Sequence, residues 1–408
     1  MRGRLLTPAP LSRRHPGLPQ HIAMGTVYAS LDAYTVPMDE ECAMKMSAPP
    51  RAIFSMIEGY RPITNLLGSG DPNVHKIDDR WWMFFGGFQR NFRNNLFSAS
   101  LPRGAELRDG ADWTITTDPD RPGRALPLID QPGKGEWDHY GLHEPCFVTG
   151  MTRTSAGDRV PCRRIYYTGR SSRKVMGNDR PFSIGFLEKT SGGWRRNPEP
   201  VIVGDSRNPS TLGPKVVFAD GKWRMWFRAT PGEPAKGEHP VAEIHYTESE
   251  DGIGGWARPR PFHSRAEGFA HAYVRAGASS YEMLLSKSPN LFGASHYPPQ
   301  RLWLSTSSSP SGDVRDWSAP EVVLDAADGP PWLRNGFFGS SLCADDAPDA
   351  AHLRHVFFTG VHATINWPGH AIRRLASLRP PPVPSPFYFT IGHVMVNLAG
   401  TSPRRDPT

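Results

Sequence analysis

Apolar positions in this chain come in short alternating runs, cut every few residues by Gly, Pro, Asn or Asp; this is the pattern of strands joined by turns rather than of helices. One unit recurs. A strand ends in two aromatic residues and a pair of small ones at Phe84-Phe85-Gly86-Gly87, Tyr166-Tyr167-Thr168-Gly169 and Phe357-Phe358-Thr359-Gly360. The strands Lys222-Trp223-Arg224-Met225-Trp226-Phe227 and Tyr281-Glu282-Met283-Leu284-Leu285-Ser286 hold the same place in two further units. An apolar strand and a turn precede each, and tryptophan opens an outer strand at Trp113, Trp194, Trp256 and Trp317, with spacings of 81, 62 and 61 residues.

Five units of roughly 60–75 residues, each holding about four short antiparallel strands, predict an all-β fold: a five-bladed β-propeller with irregular N- and C-terminal extensions. The inner strands are expected to begin near residues 71, 144, 213, 268 and 337, within one domain spanning 24–398. Residues 1–23 read as a disordered basic tail and 399–408 as a second disordered tail. The fifth unit has no tryptophan strand of its own, so a strand from elsewhere is expected to close it, either 53–67 or 387–398. Residues 379–386, RPPPVPSP, read as a stiff polyproline-like connector.

Composition narrows the partners. With Gly 40 and Pro 42 among 408 residues, long helices are excluded, while 38% apolar residues are enough for a packed core. The net charge of +7 suggests nucleic acid, but Arg2, Arg4, Arg13 and Arg14, with Arg404 and Arg405 against Asp406, supply five of those seven charges. No basic stripe with interleaved aromatics follows in the body, so no nucleic-acid partner is expected. No apolar run approaches the ~18 residues of a membrane span, and the N-terminus lacks the apolar core of a secretory signal. Cys42, Cys146, Cys162 and Cys343 are too few for a disulfide framework, although Cys146 and Cys162 fall on neighbouring strands where they could approach. A cytoplasmic protein with reduced cysteines, no membrane partner and no metal or other cofactor is expected; the oligomeric state is left open.

In a propeller the first strands of all blades converge on the axis, so polar residues at their starts share one pocket. Those starts offer Asp71 before Pro72, Glu144 before Pro145, Lys215 after Pro214, and Glu267 with His271. Carboxylates at the starts of three blades suit glycoside hydrolysis, in which one carboxyl protonates the leaving oxygen and another activates water or attacks. Each also has a plainer reading: Asp71 as a turn residue, Glu144 and Lys215 as a structural ion pair, Glu267 as an exposed turn acid. His143 and His271 are expected as hydrogen-bonding pocket residues rather than metal ligands, since no third ligand stands at metal spacing. Trp81 is a core residue or a platform for a sugar ring, Arg90 a substrate contact or a solvated loop residue, and Asp138 a residue at the pocket mouth.

The segment SGDPNVHKIDDRWWMFFGG (69–87) resembles the first-blade motif of the five-bladed glycoside hydrolases of family 43 and their relatives in family 32, and AEGFAHAYVRAGASSYEMLLS (266–286) resembles their fourth-blade Glu-Gly motif. The resemblance implies Asp71 as base or nucleophile, Glu267 as general acid, and an inverting outcome if the two carboxyls stand about 6.5–9.5 Å apart. The chain departs from that pattern at the third blade, where Lys215 stands in place of an Asp, and at the fifth, where Gly336-Phe337-Phe338-Gly339 holds no histidine. A lysine beside the acid would lower its pKa, the wrong direction for a proton donor, so Glu144 is expected either to pair with Lys215 or to be the catalytic acid itself. The alternatives are a scaffold recruited for intracellular biosynthetic chemistry on a small molecule, as a lyase, cyclase or transferase, and a non-catalytic carbohydrate-binding propeller.

Overall fold

Adjacent residues of a strand point to opposite faces of its sheet, so a pair of neighbouring aromatics fills two gaps at once. That is how the repeat builds this protein. A computed structural model describes residues 48–55, 63–154, 156–172, 181–231, 241–277, 280–291, 294, 296–347, 350–362, 366–378 and 389–398. In it five four-stranded antiparallel sheets form the blades of a propeller. Blade one holds β2 (Leu66–Ile77), β3 (Arg80–Gln89), β4 (Asn94–Ser100) and β5 (Thr114–Ile115). Blade two holds β6 (Gly141–Arg153), β7 (Arg159–Arg170), β8 (Ser183–Thr190) and β9 (Gly193–Arg196). Blade three holds β10 (Ser210–Ala219), β11 (Lys222–Thr230), β12 (Glu243–Ser249) and β13 (Arg260–His263). Blade four holds β14 (Phe269–Ala276), β15 (Tyr281–Lys287), β16 (Arg301–Ser307) and β17 (Glu321–Asp325).

The fifth blade draws on both ends of the described residues. Its inner strands are β18 (Phe337–Ala344), β19 (Leu353–Gly360) and β20 (Thr390–Asn397), and its outermost strand is β1 (Arg51–Ser55), which pairs with β20 through Phe54 opposite Ile391. Both segments expected to close the ring therefore contribute, one as third strand and one as fourth. The tails 1–23 and 399–408, Cys42 and the connector 379–386 lie outside the described residues. A ten-residue helix, Trp367–Ala376, lies between β19 and β20 in the sequence; Asn366 caps it by accepting from the Gly369 N–H at 3.0 Å.

Five apolar clusters fill the gaps between successive blades. Phe84 packs toward blade two while Phe85 packs toward blade five; Tyr166 and Tyr167, Trp226 and Phe227, Leu284 and Leu285, and Phe357 and Phe358 divide in the same way. The small residue after each aromatic pair leaves room for another ring. A Cβ on Gly87 would stand 2.5 Å from the Phe97 ring, and one on Gly360 would stand 2.6 Å from Trp332. Cys146 and Cys162 do lie on neighbouring strands but out of register: Cys146 faces Tyr166, Cys162 faces Gly150, and both are free thiols.

Phe54 is fully buried between blades five and one, 5.8 Å from the Phe85 ring, so it carries much of the closure. Phe54→Ala is expected to destabilise the protein by about 3–5 kcal/mol, the usual effect of emptying a buried aromatic site, while the exposed Val203→Ala leaves the thermal midpoint unchanged. Thermal unfolding of both variants checks this; an unchanged midpoint for Phe54→Ala would show that the clasp does not hold the ring.

Candidate functional site

Four of the five inner strands share one irregularity, and it sets the site. The ladders of β2, β6, β10 and β18 slip at Asp71, Glu144, Gly213 and Gly339, and each of these residues has positive φ, at 57°, 54°, 60° and 42°. Positive φ suits glycine, but Asp and Glu adopt it at a cost of order 1–3 kcal/mol, and such outliers concentrate at functional sites. Blade four slips one pair earlier, between Phe269 and His271, and runs regularly through His271-Ala272-Tyr273.

At three of the slips the backbone N–H turns away from its own sheet and toward the preceding blade. The Asp71 N–H donates to Thr359 Oγ1 at 2.6 Å, the Glu144 N–H to Asp71 Oδ2 at 3.3 Å, and the Gly213 N–H to Glu144 Oε2 at 2.9 Å. Thr168 Oγ1 donates to the same Glu144 oxygen at 2.6 Å, and Arg228 reaches Glu144 Oε1 at 3.4 Å. Arg228 in turn contacts His271 Nε2 at 2.9 Å. Gly339 must be glycine for a further reason: a Cβ there would collide with the Asp71 carboxyl.

Where the inner strands begin, a cavity of about 150 Å³ opens, with Ser69, Asp71, His143, Arg170 and Arg228 among its walls. Asp71 Oδ1 and Ser69 Oγ are buried there and have no hydrogen-bond partner among the described residues. Burial, and then the Glu144 charge, push the Asp71 carboxyl up to about 7. Glu144 goes the other way: burial alone would raise its pKa, but Arg228, His143, His271 and the Thr168 hydroxyl together hold it down at about 2. Burial lowers His143 to about 4 and His271 well below the usual imidazole value, so both rings are neutral at pH 7. The cavity thus offers a carboxylic acid that still holds its proton near neutrality, beside a neutral imidazole and two guanidinium groups.

The structure gathers some of the expected residues and disperses others. Asp71 and His143 line the cavity, and Glu144 and His271 stand directly behind it, both against Arg228. Lys215 is buried in the channel with its ammonium over Tyr273, 5.9 Å from the ring centre, and its expected ion pair with Glu144 is not formed; Arg228 takes that place. Glu267, expected as the acid, is exposed and accepts from the Ser264 N–H at 2.7 Å and from His263 at 2.6 Å, so its carboxylate closes a turn and is not among the cavity walls. Asp138 is fully buried away from the cavity lining, bonded to Arg196 and to the Tyr167 hydroxyl, each at 2.7 Å. Trp81 is core at the far end of β3 from Gly86, and Arg90 is exposed on the β3–β4 turn. Sequence reasoning missed Arg228 and Arg170. Arg228 had a signal: it occupies the small-residue place held by Gly86, Thr168, Ser286 and Thr359 in the other four units, and so is the odd member of the repeat. Among the described residues no group of three or more His, Cys, Asp and Glu stands ready to hold a metal, and no helix is long and apolar enough to cross a membrane.

No protein-family model matches the chain. An uncharacterized protein of Mycobacterium tuberculosis is 26% identical over 149 residues, 35% of this chain and 48% of that protein, and one from another strain is 27% identical over 114 residues, 28% of this chain and 37% of that protein. The chain thus spans less than half the length of the curated relatives it matches. Among solved structures, an RGII complex is similar at a TM-score of 0.55 and 14% identity, covering 90% of this chain and 96% of that one. A glycoside hydrolase is similar at 0.52 and 14%, covering 90% and 94%, and the catalytic domain of the Coprinopsis cinerea GH62 alpha-L-arabinofuranosidase at 0.50 and 10%, covering 86% and 98%. The five-bladed architecture is therefore one that glycoside hydrolases use.

The opposed carboxyls predict opposed stability profiles. Asp71 has a raised folded-state pKa, so its contribution is full below its unfolded value near 3.8 and is lost as pH rises to about 7; Glu144 contributes above 4.5 and loses its contribution as pH falls toward about 2. Asp71→Asn should therefore gain thermal stability relative to the parent between pH 4 and 7 and level off above. Glu144→Gln, which strands the largely enclosed Arg228 guanidinium, should lose about 3–5 kcal/mol at pH 7. Melting curves across pH check both; a pH-independent difference for Asp71→Asn would show that its carboxyl is not held protonated.

Proposed function

We propose that this protein is a glycoside-hydrolase-like enzyme that cleaves a glycosidic bond in the central cavity, with Asp71 as the proton donor. The observation that carries the reading is the Asp71 carboxyl itself: buried, facing the cavity with Oδ1 unpartnered among the described residues, and pushed up to about 7 by burial and by Glu144. Two titratable groups whose environments drive their pKa values apart are the mark of an assigned acid and a fixed charge. The roles differ from those the family resemblance implied. Asp71 gives its proton to the leaving oxygen as the C–O bond breaks, and water adds to the anomeric carbon and releases its proton to the neutral His143 ring. Return of that proton to Asp71 completes the cycle. Glu144, whose oxygens are all engaged, meets no substrate; it stands 3.5 Å from His143 Nδ1 and favours the imidazolium that forms. A single displacement of this kind inverts the anomeric centre.

A second reading is favoured by one observation: among the described residues Asp71 is the only carboxyl in the cavity wall, whereas the two-carboxylate mechanism needs a second. On that reading the same acid–imidazole pair serves a lyase, cyclase or transferase acting on a small molecule. The two separate in water labelled with oxygen-18, since hydrolysis places the label on the new anomeric hydroxyl and the alternatives do not.

For hydrolysis, kcat/KM should rise through pH 4 with His143 and fall through pH 7 with Asp71. Asp71→Asn should lower kcat by about 10²–10⁴ on glycosides with poor leaving groups and far less on dinitrophenyl glycosides, whose departure needs no proton. Glu144→Gln removes the neighbouring charge and should move the alkaline limb to lower pH. Equal losses on good and poor leaving groups in Asp71→Asn would rule out its role as proton donor.

A further inference from the structure

The walls of the cavity differ sharply in chemistry. On its polar side most side chains are already engaged with the protein: Asn94 Oδ1 accepts from Arg170 at 2.7 Å, Ser210 Oγ accepts from the Phe182 N–H at 3.2 Å, and Arg228 is held between Glu144 and His271. Ser69 Oγ and Asp71 Oδ1, both on β2, and Arg228 Nε are without a partner among the described residues and are left to meet a ligand. The remaining wall is apolar and is contributed by every blade: Phe88, Phe182, Leu212, Leu291, Phe338 and Phe389. Phe338 and Phe389 stack with centroids 5.9 Å apart and planes inclined by 19°, and the Phe338 ring is fixed from behind by His271 at 4.6 Å.

A sugar ring carries hydroxyls around its edge, and each one buried against such a wall would go without a partner. A chain of sugars would fare worse, because every further unit adds hydroxyls that Phe182, Leu212 and Phe389 cannot match. An aryl or alkyl group has the opposite preference and gains by leaving water for that surface. We infer that the substrate is a glycoside whose non-sugar part is a small apolar group, aryl or alkyl, seated against Phe182, Leu212, Phe338 and Phe389, with its glycosidic oxygen at Asp71 and its sugar toward Ser69 and His143. This rests on Asp71 as proton donor for the placement of the oxygen, but the apolar preference stands on the wall alone.

The test is binding to the full chain, measured by titration calorimetry. The probes are phenyl and octyl glycosides of glucose, galactose, xylose and arabinose, set against the methyl glycosides of the same sugars and against cello- and xylo-oligosaccharides. The expected result is binding of the phenyl or octyl compounds of at least one sugar at least tenfold tighter than its methyl glycoside and tighter than any oligosaccharide. Phe389→Ser should erase most of that advantage while the methyl glycoside affinity stays put, and Leu212→Asn provides the same readout from the opposite wall if Phe389→Ser does not fold. Oligosaccharides or methyl glycosides binding as tightly as the aryl compounds, or none of the probes binding, would overturn the inference. The two proposals fail separately: an aryl preference with no turnover dependent on Asp71 sinks the catalytic reading alone, and Asp71-dependent turnover with no aryl preference sinks this one.

Discussion

A strand that slips by a residue leaves a backbone N–H without a partner in its own sheet, and a buried N–H without a partner destabilises the fold. At Asp71, Glu144 and Gly213 that N–H is satisfied across a blade boundary. Thr359 receives the one from Asp71, Asp71 the one from Glu144, and Glu144 the one from Gly213, so three of the five boundaries are stitched by the same group of atoms at the cavity. One layer deeper the pattern repeats: Ser341 Oγ accepts from the Val74 N–H, Asn73 Oδ1 from Phe147 and Cys146 Sγ from Val216. Lys215 stands at the corresponding place in blade three and cannot accept, so the deeper ring is interrupted there.

The site inherits its electrostatics from this stitching. Asp71 and Glu144 are brought together because the bulges require acceptors, and two buried carboxyls so near each other cannot both ionise easily. The Arg228 guanidinium faces Glu144, and the Thr168 hydroxyl and the Gly213 N–H donate to it, which settles the charge on Glu144 and leaves the proton on Asp71. The interblade bonds and the raised pKa of the Asp71 carboxyl are thus one arrangement. Any attempt to relieve the strain at Asp71 by substitution changes the protonation of the cavity as well.

Much of the fold could be read in the chain because the aromatic pairs do their work locally: each pair fills the gaps on its two sides whatever the loops do. The blade starts followed from the same pairs, and Pro72, Pro145 and Pro214 stand at three of them, directly after the residues where the ladders slip. Closure was harder, since nothing in 51–55 or 390–397 says which becomes third strand and which fourth; that depends on β19 leaving one edge free. The places of Asp71, Glu144 and His143 at the starts of their blades were legible because the repeat fixes them. Glu267 misled because its neighbours Ser264 and His263, both ready donors, turn its carboxylate into a turn clasp. The apolar wall escaped notice because Phe182, Leu291 and Phe389 stand outside the recurrent strands and are brought together only by the closed ring.

The clasp between β1 and β20 bears on how the molecule is made. Four blades consist of strands that follow one another, so each can form from contacts close in the sequence as it is synthesised. The fifth joins residues as far apart as Arg51 and His393, 342 positions distant, and that contact has to wait for nearly the whole sequence. Loop-closure entropy and high contact order make such a step late and slow. Until it happens Phe54, Phe357 and Ile391 present an unpaired apolar edge, so the interval before the ring shuts is the period in which this chain is most exposed to self-association.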